Sequence, residues 1–445
     1  MKMRRKAFAV ILLIFFASFP VKAQDDLLTG SLEPILVIGG EQGSAQGQFD
    51  EPDSVYIDST GNIYAGDTVN LRVQVFDKDG NFLREMTGFT PIETAVNNEV
   101  QGIGELPNGT IVVVEKAGNL YFFDHDGTSP NTVVSMPAIS GDEKERDTQG
   151  LAVNPDTGDI YITDQPNNKV LIFNSNGVYQ GEIALPQFST PENMVVDADR
   201  DLLYVSLEGQ RQIAVYGLSN QTQITVFGKE YATMNYEGLA LDSDGNILAV
   251  DEGPDSASSS QYSRVIIFDR DTYKPIASFG GFAGTEQGRF ISPDGIAFDA
   301  TNKRVAVADQ GNYRIQVFDY DGDVQLTPQD DLTVPINKLE SSGFGWIVGG
   351  YLFGGTFELS QNGTKVLSGE WQFGQKISPD FSSLEVGTYE FSITVTDAKG
   401  NSATDTAVLT VTEATEESTK DNGSLPLLGM MAVLAAIPII RRKRS

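Results

Sequence analysis

The sequence predicts an all-β protein: a six-bladed β-propeller closed by an N-terminal strand, then a β-sandwich and a C-terminal transmembrane segment. Three observations carry this expectation. One three-strand pattern recurs six times between residues 53 and 319. The strand that would complete the last copy stands before the first. Strict alternation then returns over 355–412, and a continuous apolar run fills 425–440.

Taken in chain order, residues 1–23 read MKMRRK, AFAVILLIFFASFP and VKA, a basic, then apolar, then small-residue order. That order predicts a secretory leader cut after Ala23. The propeller is expected over 31–322. Its first strands are DSVYID from Asp53, QGIGEL from Gln101, QGLAVN from Gln149, ENMVVD from Glu192, EGLALD from Glu237 and DGIAFD from Asp294. Each is followed by a polar turn and a second apolar strand: NIYAGD, TIVVVE, IYITD, LLYVS, NILAVD and RVAVAD. The third strands are RVQVFD, NLYFFD, KVLIFN, QIAVYG, RVIIFD and RIQVFD. Segments such as NFLREM and YKPIASFG supply a fourth strand. The starts lie 48, 48, 43, 45 and 57 residues apart, the period and strand content of propeller blades. The sixth copy ends after its third strand. PILVIGGEQGSAQGQFDEPDSV (34–55) aligns with PIASFGGFAGTEQGRFISPDGI (275–296), so the N-terminal strand is expected to complete the sixth blade and leave no open edge.

Residues 323–341 read as a linker, 342–413 as a sandwich domain and 414–424 as a polar stalk. LPLLGMMAVLAAIPII (425–440) followed by the basic 441–445 predicts a membrane anchor with a cytoplasmic tail. The protein is therefore expected to be exported, anchored at its C-terminus, displayed on the extracellular face and monomeric.

Composition narrows the chemistry. The chain has no cysteine and one histidine, His125, which excludes thiol catalysis, thiolate metal sites, disulfides and multi-histidine zinc sites. With the nine bases of the leader and tail set aside, 61 acids face 22 bases. Such a surface excludes nucleic acid as a partner and favours salt solubility or divalent cations.

The repeats resemble NHL repeats. GQFDEPDSVYIDSTGNIYAGDTVNLRVQVFDKDG and GRFISPDGIAFDATNKRVAVADQGNYRIQVFDYDG follow GxFxxPxGhAhDxxGxhYVADxxNxRIQhFDxDG closely, h being apolar. The resemblance covers about 34–322, and the fourth copy departs from it by ending its second strand on Ser206. It implies a recognition platform for a protein, a glycan or a small ligand. GTYEFSITVTDAKGNSATDT with Trp371-Gln372-Phe373-Gly374 resembles PKD-type and other Ig-like surface modules, although Gln375 and Lys376 replace the usual Asp-Gly. Leu-Pro-x-x-Gly before the apolar run resembles a sortase-type sorting signal, with Leu428 where that motif has threonine.

Two rings of polar residues follow from the spacing. From each first-strand opener to the end of the second strand the interval is 14 or 15 residues. Both positions then fall on one face of the disc. The inner ring is Asp53, Gln101, Gln149, Glu192, Glu237 and Asp294. Oxygen donors without His or Cys suit Ca²⁺, so this ring is the candidate metal site. The outer ring holds Asp67, Glu115, Asp164, Asp251 and Asp309. Two readings of it stand: a ligand-binding ring, or scaffolding in which these acids cap strand ends and pair with Arg72, Lys169, Arg264 and Arg314. The alternative to a binding module is a Ca²⁺-dependent hydrolase. EGLALDSDGNILAVDEG resembles phytase-like propellers, and gluconolactonase-type relatives hold their metal with a first-strand glutamate. That resemblance implies Glu237 as the catalytic position.

Overall fold

The computed structural model describes residues 32–89, 99–137, 146–350 and 352–414. The expected leader, the anchor, the basic tail and nearly all of the stalk lie outside them. Among the described residues no helix is long and apolar enough to cross a membrane.

Among the described residues, six four-stranded antiparallel sheets form the propeller. Their innermost strands are Pro52–Ile57, Val100–Glu105, Thr148–Val153, Pro191–Asp197, Tyr236–Leu241 and Pro293–Asp299. Each touches the innermost strands of both neighbouring blades, and blade 6 touches blade 1. The ring is closed. Leu36–Gly39 is the outermost strand of blade 6, paired with Arg314–Asp319 in the register Leu36↔Val317 to Gly39↔Arg314. Backbone bonds from Ile35 to Val317 and from Gly40 to Tyr313, both 2.8 Å, extend the join.

The apolar interior is divided into seams, one between each pair of blades. Between blades 2 and 3, for example, Val112, Val114 and Leu120 meet Leu151, Ile160 and Ile162. Between blades 6 and 1, Ala306, Ala308 and Ile315 meet Val55, Ile63 and Phe76. A blade buries its two faces only against its neighbours, which is why the middle strands read as near-continuous apolar runs. Ile63–Asp67, Ile111–Glu115 and Ile247–Asp251 are buried at every residue.

The C-terminal module is two sheets around one core. Leu332–Pro335, Ser402–Thr412, Gly387–Asp397, Gly355–Gln361 and Thr364–Trp371 form a five-stranded sheet in that order. Gln325–Leu326, Trp346–Gly349 and Lys376–Ile377 form a three-stranded one. Trp346, Trp371 and Phe391 pack between them. The expected linker is corrected here. Residues 325–326 and 332–335 are strands of this module, and Leu332–Pro335 runs parallel to Leu409–Thr412. Four residues paired with a partner seventy-seven positions away leave no local periodicity to read.

The module is seated on the propeller. Leu352 and Phe373 join the seam between blades 5 and 6, and Phe353 meets Tyr320 edge-on at 5.4 Å. The Lys399 ammonium lies 2.5 Å from the Asp321 carboxylate, and Asn401 donates to Asp323.

Candidate functional site at the tunnel mouth

All six openers occupy the same structural device. In every blade the register between first and second strands slips at the opener, between Pro52 and Ser54, Val100 and Gly102, Thr148 and Leu151, Pro191 and Met194, Tyr236 and Leu239, and Pro293 and Ile296. A β-bulge leaves one or two residues unpaired and bends the strand. Here it brings the opener to the rim of the central tunnel. In five of the six blades the residue after the opener is Gly or Ser, because the next blade arrives there; blade 4 has Asn193. A Cβ on Gly295 would stand 2.6 Å from the Asp53 carbonyl oxygen, and one on Gly238 would stand 2.5 Å from that of Asp294. Below the ring lies a cavity of about 300 Å³, lined by Ile57, Ile103, Leu151, Met194, Leu239 and Ile296 among others.

The structure brings more carboxylates to this mouth than the six positions contain. Glu99 accepts from Gln101 at 3.0 Å and Asp147 from Gln149 at 2.9 Å. Glu208 and Glu252 follow the second strands of blades 4 and 5. Gln165 donates to Glu192, Gln310 to Asp53 and Asn235 to Glu237, while Ser292 donates to Glu252 at 2.8 Å. No donor reaches the Asp294 carboxylate among the described residues. The signal for the first pair was present: Glu-Val-Gln and Asp-Thr-Gln end on the second and third openers with the same spacing.

Burial and mutual repulsion shift these groups. Burial pushes Asp53 up to about 7, against hydrogen bonds from Gln310 and Thr68. Burial, then the charge of Glu208, holds Glu192 well above the usual carboxylate range. Glu237 is raised by burial, then by Glu192 and Asp294, and Asp294 by burial, then by Asp53 and Glu252. The cation paired into this cluster is Lys116, 2.7 Å from Glu99 and 4.0 Å from Asp147. Among the described residues no three Asp, Glu or His side chains stand together as a metal cage. The openers surround the mouth without converging on one point.

The outer ring is different in kind. Asp67, Glu115, Asp164, Asp251 and Asp309 are fully buried. Asp67 accepts from Arg72 at 2.7 Å, Asp251 from Arg264 at 2.9 Å and Asp309 from Arg314 at 2.6 Å. Backbone amides of Asp50, Thr233 and Ile291 donate to the same three carboxylates. Glu115 takes the Tyr121 hydroxyl at 2.7 Å, and Asp164 takes Arg146 at 2.5 Å. These five offer no exposed atom to a ligand, which corrects the ligand-binding reading of this ring. They tie the blade entry loops to the strands. Lys169 pairs with Glu182 at 3.0 Å, and Arg211 donates to the Ala232 and Thr233 carbonyls. The basic side chains that a phosphohydrolase would direct at phosphate are held in the scaffold. His125 stands in a turn and is half-buried, with its Nε2 3.0 Å from the buried Asp58 carboxylate.

The long connection 252–263 is fastened to the segment that leads into blade 6. Tyr262 stacks on Phe282 with centroids 4.7 Å apart, the Arg264 guanidinium lies over the Tyr262 ring, and Ser258 donates to the Ala283 carbonyl.

Comparison with known proteins finds an NHL repeat at residues 290–318. The chain is similar to the B-box type zinc finger protein ncl-1 of Caenorhabditis elegans, 51% identical over 43 residues, 10% of this chain and 5% of that protein. It is also similar to Protein lin-41 of Caenorhabditis elegans, 46% identical over 50 residues, 11% of this chain and 4% of that protein. The likeness is thus confined to a small part of either relative.

Proposed function

We propose that the protein is a recognition module that presents its acidic tunnel mouth to an extracellular partner, with the leader and C-terminal segment displaying it on the cell surface. The observation that carries this reading is the placement of six openers in six bulges around one hole, with added carboxylates beside them and their cation neighbour Lys116 already paired. Repeats built for stability alone gain nothing from gathering like charges, since each raises the cost of ionising the next. A cationic partner would relieve that cost. Ca²⁺ is the simplest such partner: Asp53, Glu192, Glu237 and Asp294 supply hard oxygen donors, with Gln101 and Gln149 completing the ring. Because the openers do not converge as they stand, uptake requires their side chains to turn inward. Titration calorimetry of the chelator-treated protein tests the site. Heat should appear with Ca²⁺ and vanish in a variant carrying alanine at Asp53, Glu192, Glu237 and Asp294; equal heat in that variant rejects the assignment.

A further inference from the structure

Phe188 is the most exposed large apolar side chain described, at 79%. Others with high exposure, such as Leu83, Val133, Ile224 and Ile276, lie on outermost strands at the rim of the disc. Phe188 lies in the loop that enters blade 4, four residues before Glu192. It adopts φ +61°, a region that bulky residues avoid. The loop around it is held firmly. The Asn168 carboxamide oxygen accepts from the Ser189 amide at 2.7 Å and the Thr190 amide at 3.2 Å, and the Ser189 hydroxyl donates to the Pro186 carbonyl. The amides of Glu208 and Gly209 donate to Thr190 and Ser189, both at 3.1 Å. The backbone that carries this exposed aromatic ring is therefore held against Glu208 and Gly209, four residues before Glu192. The amide of Gln165 donates to Glu192 and stands 3.5 Å from Glu208, so one donor serves two carboxylates.

We propose that Phe188, with Glu192 and Glu208 beside it, anchors an arginine side chain of a basic polypeptide that lies across the mouth. The inference rests on the mouth being the binding face. Charge complementarity selects the partner: the mouth repels acidic glycans and nucleic acid and attracts a cationic chain. The pairing of ring and carboxylates selects arginine over lysine. A planar guanidinium stacks on an aromatic face and still offers parallel N–H donors to a carboxylate, which a point-like ammonium cannot do. Holding the loop backbone in advance removes part of the ordering cost of binding.

The test is fluorescence anisotropy with labelled peptides that alternate leucine with arginine, lysine or glutamine. The arginine peptide should bind, the lysine peptide several-fold more weakly, and the glutamine peptide not at all. Phe188→Ala should weaken the arginine peptide about tenfold, a typical cost for an aromatic anchor. Phe188→Asn, whose side chain tolerates the left-handed backbone, should lose as much, and Phe188→Trp should retain binding. Unchanged affinity in Phe188→Asn, equal binding of arginine and lysine peptides, or no binding to the wild type would each overturn the proposal. A variant with Asn or Gln at Asp53, Glu237 and Asp294 separates the two readings. If it loses the peptide while Phe188→Asn keeps it, the mouth stands and the anchor falls. If only Phe188→Asn loses it, the anchor stands and the wider mouth is not the binding face.

Discussion

The inner and outer rings hold the same kind of residue, repeat with the same period and sit on the same side of the disc, yet their surroundings are opposite. Asp309, in the outer ring, accepts from Arg314, Asn312, Gln316 and the Ile291 amide. Asp294, in the inner ring of the same blade, has Asp53 and Glu252 as its charged neighbours. Fifteen residues separate a carboxylate that stabilises the fold from one that strains it. The lesson is that an acid's role is set by the donors its backbone position can reach. A strand end is met by an entry loop and an arginine opposite it on the adjacent strand, whereas a bulge at the tunnel is met by the next blade's acid.

This contrast can be broken experimentally. Asp309→Ala should produce the largest effect, a loss of about 3–5 kcal/mol in chemical denaturation, because it leaves Arg314 buried without its partner. A neutral result would remove the structural role assigned to the outer ring. Gly295→Val should cost about 1–3 kcal/mol, since its Cβ would press on the backbone of Asp53 and not on a side chain that can give way. Preserved stability there would mean the blades do not meet as closely as described.

The inner ring should respond with the opposite sign. The folded-state pKa of Asp53 is raised from 3.8 to about 7, so the fold holds a proton that the unfolded chain releases. Stability contributed by that proton is full below pH 3.8 and is lost as pH rises towards about 7. The wild type should therefore lose stability relative to Asp53→Asn across that window and run parallel to it above. A flat difference curve would contradict the burial of the Asp53 carboxyl at the mouth. Asp294→Asn is the smallest expected change, a gain of roughly 1 kcal/mol at pH 7.5 from removing a carboxyl that burial and its acidic neighbours make costly to ionise. A loss instead would show that Asp294 has a stabilising partner.

Much of the ring architecture was legible because it is written repeatedly. The six openers, the strand triplets and the N-terminal closing strand could all be read from alignment of the chain with itself. Three of the outer pairs could also be read, since Arg72, Arg264 and Arg314 open the third strands directly paired with those acids. Arg146, a partner of Asp164, precedes its blade in an entry segment with no repeat to mark it. Glu208 and Glu252 went unnoticed because their counterparts in other blades are Thr68, Lys116, Gln165 and Gln310, with no shared chemistry. Phe188 carries no periodic signal at all; only its exposure and backbone angle single it out.

Closure by the segment Leu36–Gly39 has a further consequence. Blade 6 is the one assembled from both ends of the propeller's chain, and Asp53 and Asp294 flank the junction it creates. A cation bridging those two would act as a rivet across the seam between the first and last blades. Occupancy of the mouth and resistance to unzipping should then rise together, so that the disc opens most easily when nothing is bound to it.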